Sequence, residues 1–305
     1  MTVQIVLLYL TILVLPGFLL YRLWKGQEAS LLKWLLRVSF TGLFFIYIFM
    51  AGRWDWASYY LRYIWLLLYV VGAVASYRRI GEKPLFAVDG RRRWLGLTSH
   101  VFTLLVSLFL VGSALRGHIA SQQPVRLALP LEDGRYYVAQ GGNALILNYA
   151  ANSRSQQFAL DIVELNTVGA RARGIYPSQL ERYTVFGEPI HSPCDGTVAA
   201  TRDGLPDLAP GERDPENPAG NHVIISCRNV DILLAHMKNG SVDVDPGVEV
   251  ETGDALGRVG NSGNTTEPHL HIHAVEGGSA SVFEGDGVPI FFGRQLPTRN
   301  SLFVQ

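Results

Sequence analysis

The stretch Glu267–Ala274, EPHLHIHA, carries three histidines at alternate positions: His269, His271 and His273. In an extended strand, side chains at i, i+2 and i+4 share a face, so the three imidazoles are expected to point the same way. Neutral imidazole is the commonest metal ligand in proteins, Zn²⁺ accepts it readily, and it also carries protons near neutral pH. Three on one face suit a metal or catalytic centre better than they suit packing. Two other residues could join them. His236 closes the apolar run LLAHM, though alone it reads as a strand-end histidine facing solvent. Asp161 lies within the apolar segment FALDIVELN. A buried carboxylate there needs a cation or hydrogen-bond donors, and a hydrogen-bonded turn aspartate explains it equally well.

The elements that must position these residues read as β-structure. From about Ile119 the chain is built of short runs rich in β-formers, such as Arg135–Val138, Ala144–Leu147, Gly196–Ala200, His222–Ser226 and Val230–Ala235. Gly, Asn, Asp and Pro separate them, and no long 3.6-residue period intervenes. Residues 203–220, DGLPDLAPGERDPENPAG, read as a long surface connection in a hairpin, and Gly169–Tyr183 as an insertion forming a short helix or loop. Cys194 and Cys227 fall in or beside neighbouring strands. Outside the cytoplasm they could pair as a disulfide; the alternative is two buried thiols.

The first part of the chain is of another kind. Residues 1–118 hold 13 Lys and Arg against 4 Asp and Glu, whereas residues 119–305 hold 13 against 22. Four apolar runs, Val3–Leu20, Leu35–Ala51, Leu61–Ser76 and Leu95–Leu115, approach the length of about 20 residues that a bilayer-crossing helix needs. Arg37 and Arg62, near run ends, are expected to snorkel toward headgroups, and Trp54, Trp56, Tyr59 and Tyr60 to form an interfacial belt. Arg22, Lys25 and Lys33 follow run one, and Arg78, Arg79, Lys83 and Arg91–Arg93 follow run three; only Arg53, opposed by Asp55, follows run two. The excess of positive charge puts the first and third loops in the cytoplasm, and with them the C-terminal part on the outer side of the cytoplasmic membrane. Run one lacks the basic n-region and small-residue cleavage site of a signal peptide. No acidic residue lies in the runs, so an ion pathway has little support. The expected architecture is α+β overall: residues 1–118 as a multi-pass bundle of about four transmembrane helices in contact with lipid, then residues 119–305 as an all-β, antiparallel-sheet domain. That domain shows no basic stripe with interleaved aromatics, which argues against a nucleic-acid partner.

The run from Ala235 to Ala274 resembles the signature of the lysostaphin-type peptidoglycan metallopeptidases: an A-H-L strand end, a V-x-x-G-(D/Q)-x-(I/L)-G-x-x-G-x-(S/T)-G segment, then P-H-L-H. Upstream, EPIHSPCDGTVAA and GNHVII resemble two further strands of that family, so the likeness covers about Phe158–Ala274. It implies a groove-forming sheet with Zn²⁺ on its floor, held by Asp161 and His271, with His236 and His269 as catalytic, non-ligand histidines. Asn261, Ser262, Gly263, Asn264 and Thr265 would border the substrate groove. The implied activity is that of a membrane-anchored zinc endopeptidase cutting peptidoglycan stem or cross-link peptides. One position departs from the pattern. The family's first ligand is a histidine four residues before the aspartate, and here that residue is Gln157. An amide oxygen is a poorer zinc donor than imidazole. Gln157 could ligate weakly, His273, His222 or His191 could supply the third ligand, or the domain could have become a module that binds cell wall or regulates a partner hydrolase.

Overall fold

The computed structural model describes residues 2–86, 91–277 and 282–305. Its chain divides into two compact units: residues up to Trp54 with Tyr60–Leu115, and Asp55–Tyr59 with Arg116–Gln305.

The first unit is helical. Helix α1 (Thr2–Tyr9), a π-helical turn (Leu10–Val14) and α2 (Leu15–Lys25) follow without a break; then come α3 (Leu31–Ala51), α4 (Leu61–Ile80) and α5 (Arg91–Arg116). The stretches Val3–Lys25, Leu31–Ala51, Leu61–Ile80 and Thr98–Arg116 are long and apolar enough to cross a membrane. The first three run several residues past the expected ends, because Arg22, Lys25, Lys33, Arg78 and Arg79 are good helix formers that continue each helix into its polar margin. Ser30 caps α3 by accepting the Lys33 N–H, and α4 stops at Gly81, where φ is 57°. Close packing of α3 on α4 needs Gly42, since a Cβ there would strike the Tyr69 ring, whose hydroxyl donates to Val38 O at 3.0 Å. One expectation fails here. Arg62 does not snorkel: it is buried, its guanidinium 3.7 Å from the centre of the Phe49 ring. Arg37 reaches an ion pair with Glu28, in the polar loop before α3.

The second unit is a sheet structure. Its strands are β1 (Val125–Leu127), β2 (Arg135–Gln140), β3 (Leu160–Glu164), β4 (Pro189–His191), β5 (Gly196–Arg202), β6 (Asn221–Cys227), β7 (Val230–Met237), β8 (Glu249–Val250), β9 (Ala255–Arg258), β10 (Leu270–Glu276), β11 (Gly287–Val288), β12 (Ile290–Phe292) and β13 (Leu302–Val304). The main sheet runs β13-β2-β3-β10-β7-β6-β5-β8, with β11 also on β10, and every pairing in it is antiparallel. Strand alternation divides its centre into two faces. Leu160, Ile162, Leu270, Ile272, Ile232, Leu234, Val223 and Ile225 join the main core on one face. Each such side chain, once buried, contributes about 1.5–3 kcal/mol. The alternate residues of β3, β7 and β10, including Asp161, Leu233, Ala235, His271 and His273, lie on the other face. Cys194 and Cys227 are joined as a disulfide, their Cα atoms 6.3 Å apart.

Ala144–Leu147, expected as a strand, is a turn. Leu147 and Asn148 N–H both bond Ala144 O, and the buried Asn148 amide bonds the carbonyls of Gly142, Gln157 and Ala159. A side chain that supplies hydrogen bonds to the local backbone competes with strand pairing. Residues 203–220 do connect two antiparallel partners, β5 and β6. The 169–183 insertion holds a single 3₁₀ turn, Leu180–Arg182, and wraps the short segment Asp55–Tyr59. There Arg171 N–H donates to Asp55 O (3.0 Å), Tyr59 N–H to Gly169 O (2.8 Å) and Ser58 Oγ to Val168 O (2.8 Å). Trp56 stacks on Tyr176 with ring centres 5.8 Å apart, and Tyr59 meets Tyr137 edge-on. Of the residues expected in an interfacial belt, Trp56 and Tyr59 pack into the sheet unit, and Trp54 is buried with its indole N–H on Ile48 O.

Candidate active site

Antiparallel register places His271 of β10 directly opposite Asp161 of β3 on one side and Ala235 of β7 on the other. His271 Nδ1 lies 2.9 Å from Asp161 Oδ1. His236, next to Ala235, takes an unusual backbone conformation, φ 64°, which a non-glycine residue adopts only when its surroundings enforce it. Enforcement comes from its N–H on Ala219 O and its C=O accepting the Gly260 N–H, both 3.0 Å. The twist brings its ring to 4.9 Å from the His269 ring and 5.7 Å from that of His271. One nitrogen from each of His236, His269 and His271 falls within 4.8 Å of the others, and among the described residues no other histidine shares the cluster.

Hydrogen bonds decide which nitrogens face inward. A carbonyl only accepts, so His236 Nδ1–H donates to Ser262 O (2.9 Å) and His269 Nδ1–H to Glu267 O (2.9 Å). Both rings thereby turn Nε2 to the cluster. His269 Nε2 is buried without a hydrogen-bond partner, 3.5 Å from Asp161 Oδ1. Burial alone would raise the Asp161 carboxyl, but the charges of His269 and His271 close by outweigh it and hold it well below the carboxylate range. Burial, with His269 and His271 close by, keeps His236 well below the ordinary imidazole range. For His269, burial pulls the other way but the Asp161 charge prevails and raises it.

The remaining expected site residues are placed as follows. Gln157 donates its amide to Asn143 Oδ1 at 2.8 Å. His273 spends one nitrogen on His271 and the other on Val282 O, so it offers no free lone pair as a third ligand. His222 bonds Gly220 O, and His191 sits on β4 in a separate two-stranded sheet with β9. The turn expected to border a groove serves chiefly as a brace. Asn261, Ser262, Gly263 and Thr265 are buried and only Asn264 is exposed. Asn261 bonds Asp207 and Leu208, and Ser262 Oγ donates to Met237 O while its carbonyl holds His236. Sequence reasoning missed Glu267, which accepts a buried ion pair from Arg171 at 2.7 Å and so anchors the turn whose carbonyl holds His269. Its signal was a charged residue immediately before the P-H-L-H run.

Three imidazole nitrogens cluster on one sheet face with the Asp161 carboxylate beside His271 and His269, and the sequence around them matches a family. Residues 182–282 fit the model of peptidase family M23. This stretch of the chain is a peptidase family M23 domain. The M23 match includes His236, His269, His271 and His273, while Gln157 and Asp161 lie upstream of it. A curated relative, the peptidoglycan DD-endopeptidase ShyA of Vibrio cholerae, is 25% identical over 294 residues, covering 85% of this chain. The chain spans 62% of that relative's length. Among solved structures, the catalytic domain of lysostaphin from Staphylococcus simulans is similar at 19% identity, over 38% of this chain and 84% of that one, with a TM-score of 0.24. A zinc-containing peptidase from Vibrio cholerae is similar at 19% identity, over 43% of this chain and 50% of that one, with a TM-score of 0.25.

Proposed function

We propose that the chain is a membrane-anchored zinc endopeptidase acting on peptidoglycan peptides at the outer side of the cytoplasmic membrane. The observation that carries this is the cluster of one ring nitrogen each from His236, His269 and His271, with Asp161 Oδ1 beside it, 2.9 Å from His271 Nδ1 and 3.5 Å from His269 Nε2. The donor set suits Zn²⁺, which takes carboxylate oxygen and imidazole nitrogen in tetrahedral sites. Asp161 and His271 would hold the ion. With the Gln157 amide turned to Asn143, His269 is placed to complete the set: in a tetrahedron with bonds of about 2.0–2.1 Å, neighbouring donors lie roughly 3.3–3.4 Å apart, close to its 3.5 Å from Asp161. Bound zinc supplies an acidified water and polarises the scissile carbonyl. His236, kept neutral by burial and pinned through Nδ1, presents a bare Nε2 that accepts a proton from the attacking water and returns it to the leaving amine.

Orientation draws support from the Lys- and Arg-rich loops that follow the first and third apolar runs, which the excess of positive charge assigns to the cytoplasm. A second reading, a non-catalytic module that binds cell wall or regulates a hydrolase, is favoured by Gln157 alone. The two separate on one experiment. The full chain, purified in detergent, is assayed for zinc content and for release of peptides from isolated peptidoglycan. Stoichiometric zinc with hydrolysis that His271→Ala abolishes supports the enzyme. No zinc and no hydrolysis, with peptidoglycan pull-down unchanged in His269→Ala, supports the module.

A further inference from the structure

We propose that His273 is a positioning residue: it fixes the ring tautomer of His271 and turns the Nδ1 lone pair of His271 toward Asp161. The inference deepens the zinc reading and rests on it for its functional meaning, but its structural content can be tested without metal.

The argument starts at the far end of a chain of contacts. His273 Nε2 lies 3.1 Å from Val282 O. A carbonyl has no hydrogen to give, so Nε2 of His273 carries the hydrogen and donates. His273 is fully buried between strands, with Leu233 as its cross-strand partner, and a second proton on it would be an unpaired charge in an apolar setting. Its Nδ1 is therefore bare and can only accept. The atom facing that lone pair, at 3.0 Å, is His271 Nε2, which must donate. A neutral His271 consequently carries its hydrogen on Nε2 and leaves Nδ1 bare. That bare nitrogen faces Asp161 Oδ1 at 2.9 Å. Two lone pairs at this separation repel unless a positive centre stands between them, so the relay builds a gap that calls for a proton or a metal ion. Ligating histidines commonly donate their other N–H to a carbonyl or carboxylate, and losing that partner costs about 10–100-fold in metal affinity. Here a second imidazole does the work, with the Val282 carbonyl behind it.

The test uses the full-length chain in detergent with ¹⁵N-labelled histidine. Nitrogen shifts and two-bond couplings in the metal-free protein report which ring atom carries hydrogen. The expected pattern is Nε2–H on His273 and, in the neutral ring, Nε2–H on His271. Zinc affinity is then measured by chelator competition in the wild type, His273→Leu and His273→Gln. His273→Leu fills similar space without polar atoms and is expected to weaken zinc by about 10–100-fold. His273→Gln can accept from His271 through its amide oxygen and donate to Val282 O, and is expected to rescue most of the loss. An Nδ1–H tautomer on neutral His271 overturns the proposal, as does a folded His273→Leu that binds zinc as tightly as the wild type. Should the wild type bind no zinc at all, the peptidase reading fails while the tautomers still decide the relay. Should His273→Leu fail to fold, the tautomers together with His273→Gln decide it.

Discussion

The helical unit and the sheet unit use apolar residues in opposite ways. In the helices large apolar side chains face outward: Phe109 is 72% exposed and Leu67 65%. In the sheet unit most large apolar side chains fill the core, although some such as Val304 and Val168 stay exposed, and here polar groups are buried as well: Asp161, His236, His271 and His273. An outward apolar helix surface is at rest in lipid, where lining up with hydrocarbon has no cost. A buried polar cluster inside a sheet is at rest only when its hydrogen bonds and charges are satisfied. Under the membrane-anchored reading proposed above, the two units answer to different solvents, and the first should tolerate apolar change and resist charge where the second resists almost any change.

The largest effect is expected at the cluster. His236→Ala should lower kcat by about 10²–10⁴-fold, the usual worth of a positioned acid–base group, while leaving zinc content near that of the wild type. Peptide release from peptidoglycan and metal analysis on the same preparation check this. Loss of zinc together with activity would instead make His236 a ligand and redraw the division of roles proposed for His236 and His269.

The helical side of the contrast is tested by Leu67→Arg in α4. A charge at the centre of a lipid-facing helix costs about 2.5–3.5 kcal/mol in insertion experiments. Insertion efficiency of the span, read by glycosylation mapping, should fall accordingly, while Leu67→Phe should have no effect. Equal insertion of the Arg variant would mean that this face of α4 does not meet lipid.

A covalent constraint separates the units further. The Cys194–Cys227 bond closes a loop of 33 residues in the sheet unit. Removing it with Cys194→Ser and Cys227→Ser together should lower the unit's stability by about 2–4 kcal/mol, measured by denaturant titration of the full chain followed with a probe in the sheet unit. Reducing agent should shift the wild type by a similar amount and leave the double variant unmoved.

These contrasts also show what the sequence could disclose. Hydropathy alone marked four helices, because membrane helices are recognised by total apolarity over a fixed length. It could not say where Arg62 or Trp56 would turn, since each is settled by a partner far along the chain: Phe49 for one, Tyr176 for the other. Alternation in β10 exposed the shared face of His271 and His273, because the period of a strand is local. The distinct jobs of the two rings were not legible. They depend on the Val282 carbonyl behind one and Asp161 in front of the other, and on the register that places Asp161 opposite His271. Ala144–Leu147 was misread because a run of β-formers says nothing of the Asn148 amide that pins the turn.

The smallest effect tests whether every buried carboxylate in the sheet unit is answered by a cation. Asp161 is; Glu164, three residues on along β3, is not. Burial, with the charge of Glu188 added and that of Arg135 only partly opposing, pushes the Glu164 carboxyl up to about 7. A folded pKa above the unfolded one means that the folded state holds the proton more tightly. The favourable contribution is therefore complete below about 4.5, the ordinary value, and is lost as pH rises through about 7. Because the group is only half-buried, solvent screening reduces the difference to about 1 kcal/mol. Glu164→Gln, which keeps the shape and removes the charge, should match the wild type at pH 4 and exceed it in denaturation midpoint at pH 8. A wild type that gains stability against Glu164→Gln between those two pH values would show that Arg135 neutralises Glu164 as fully as the histidines neutralise Asp161, and the difference drawn between the two carboxylates of β3 would disappear.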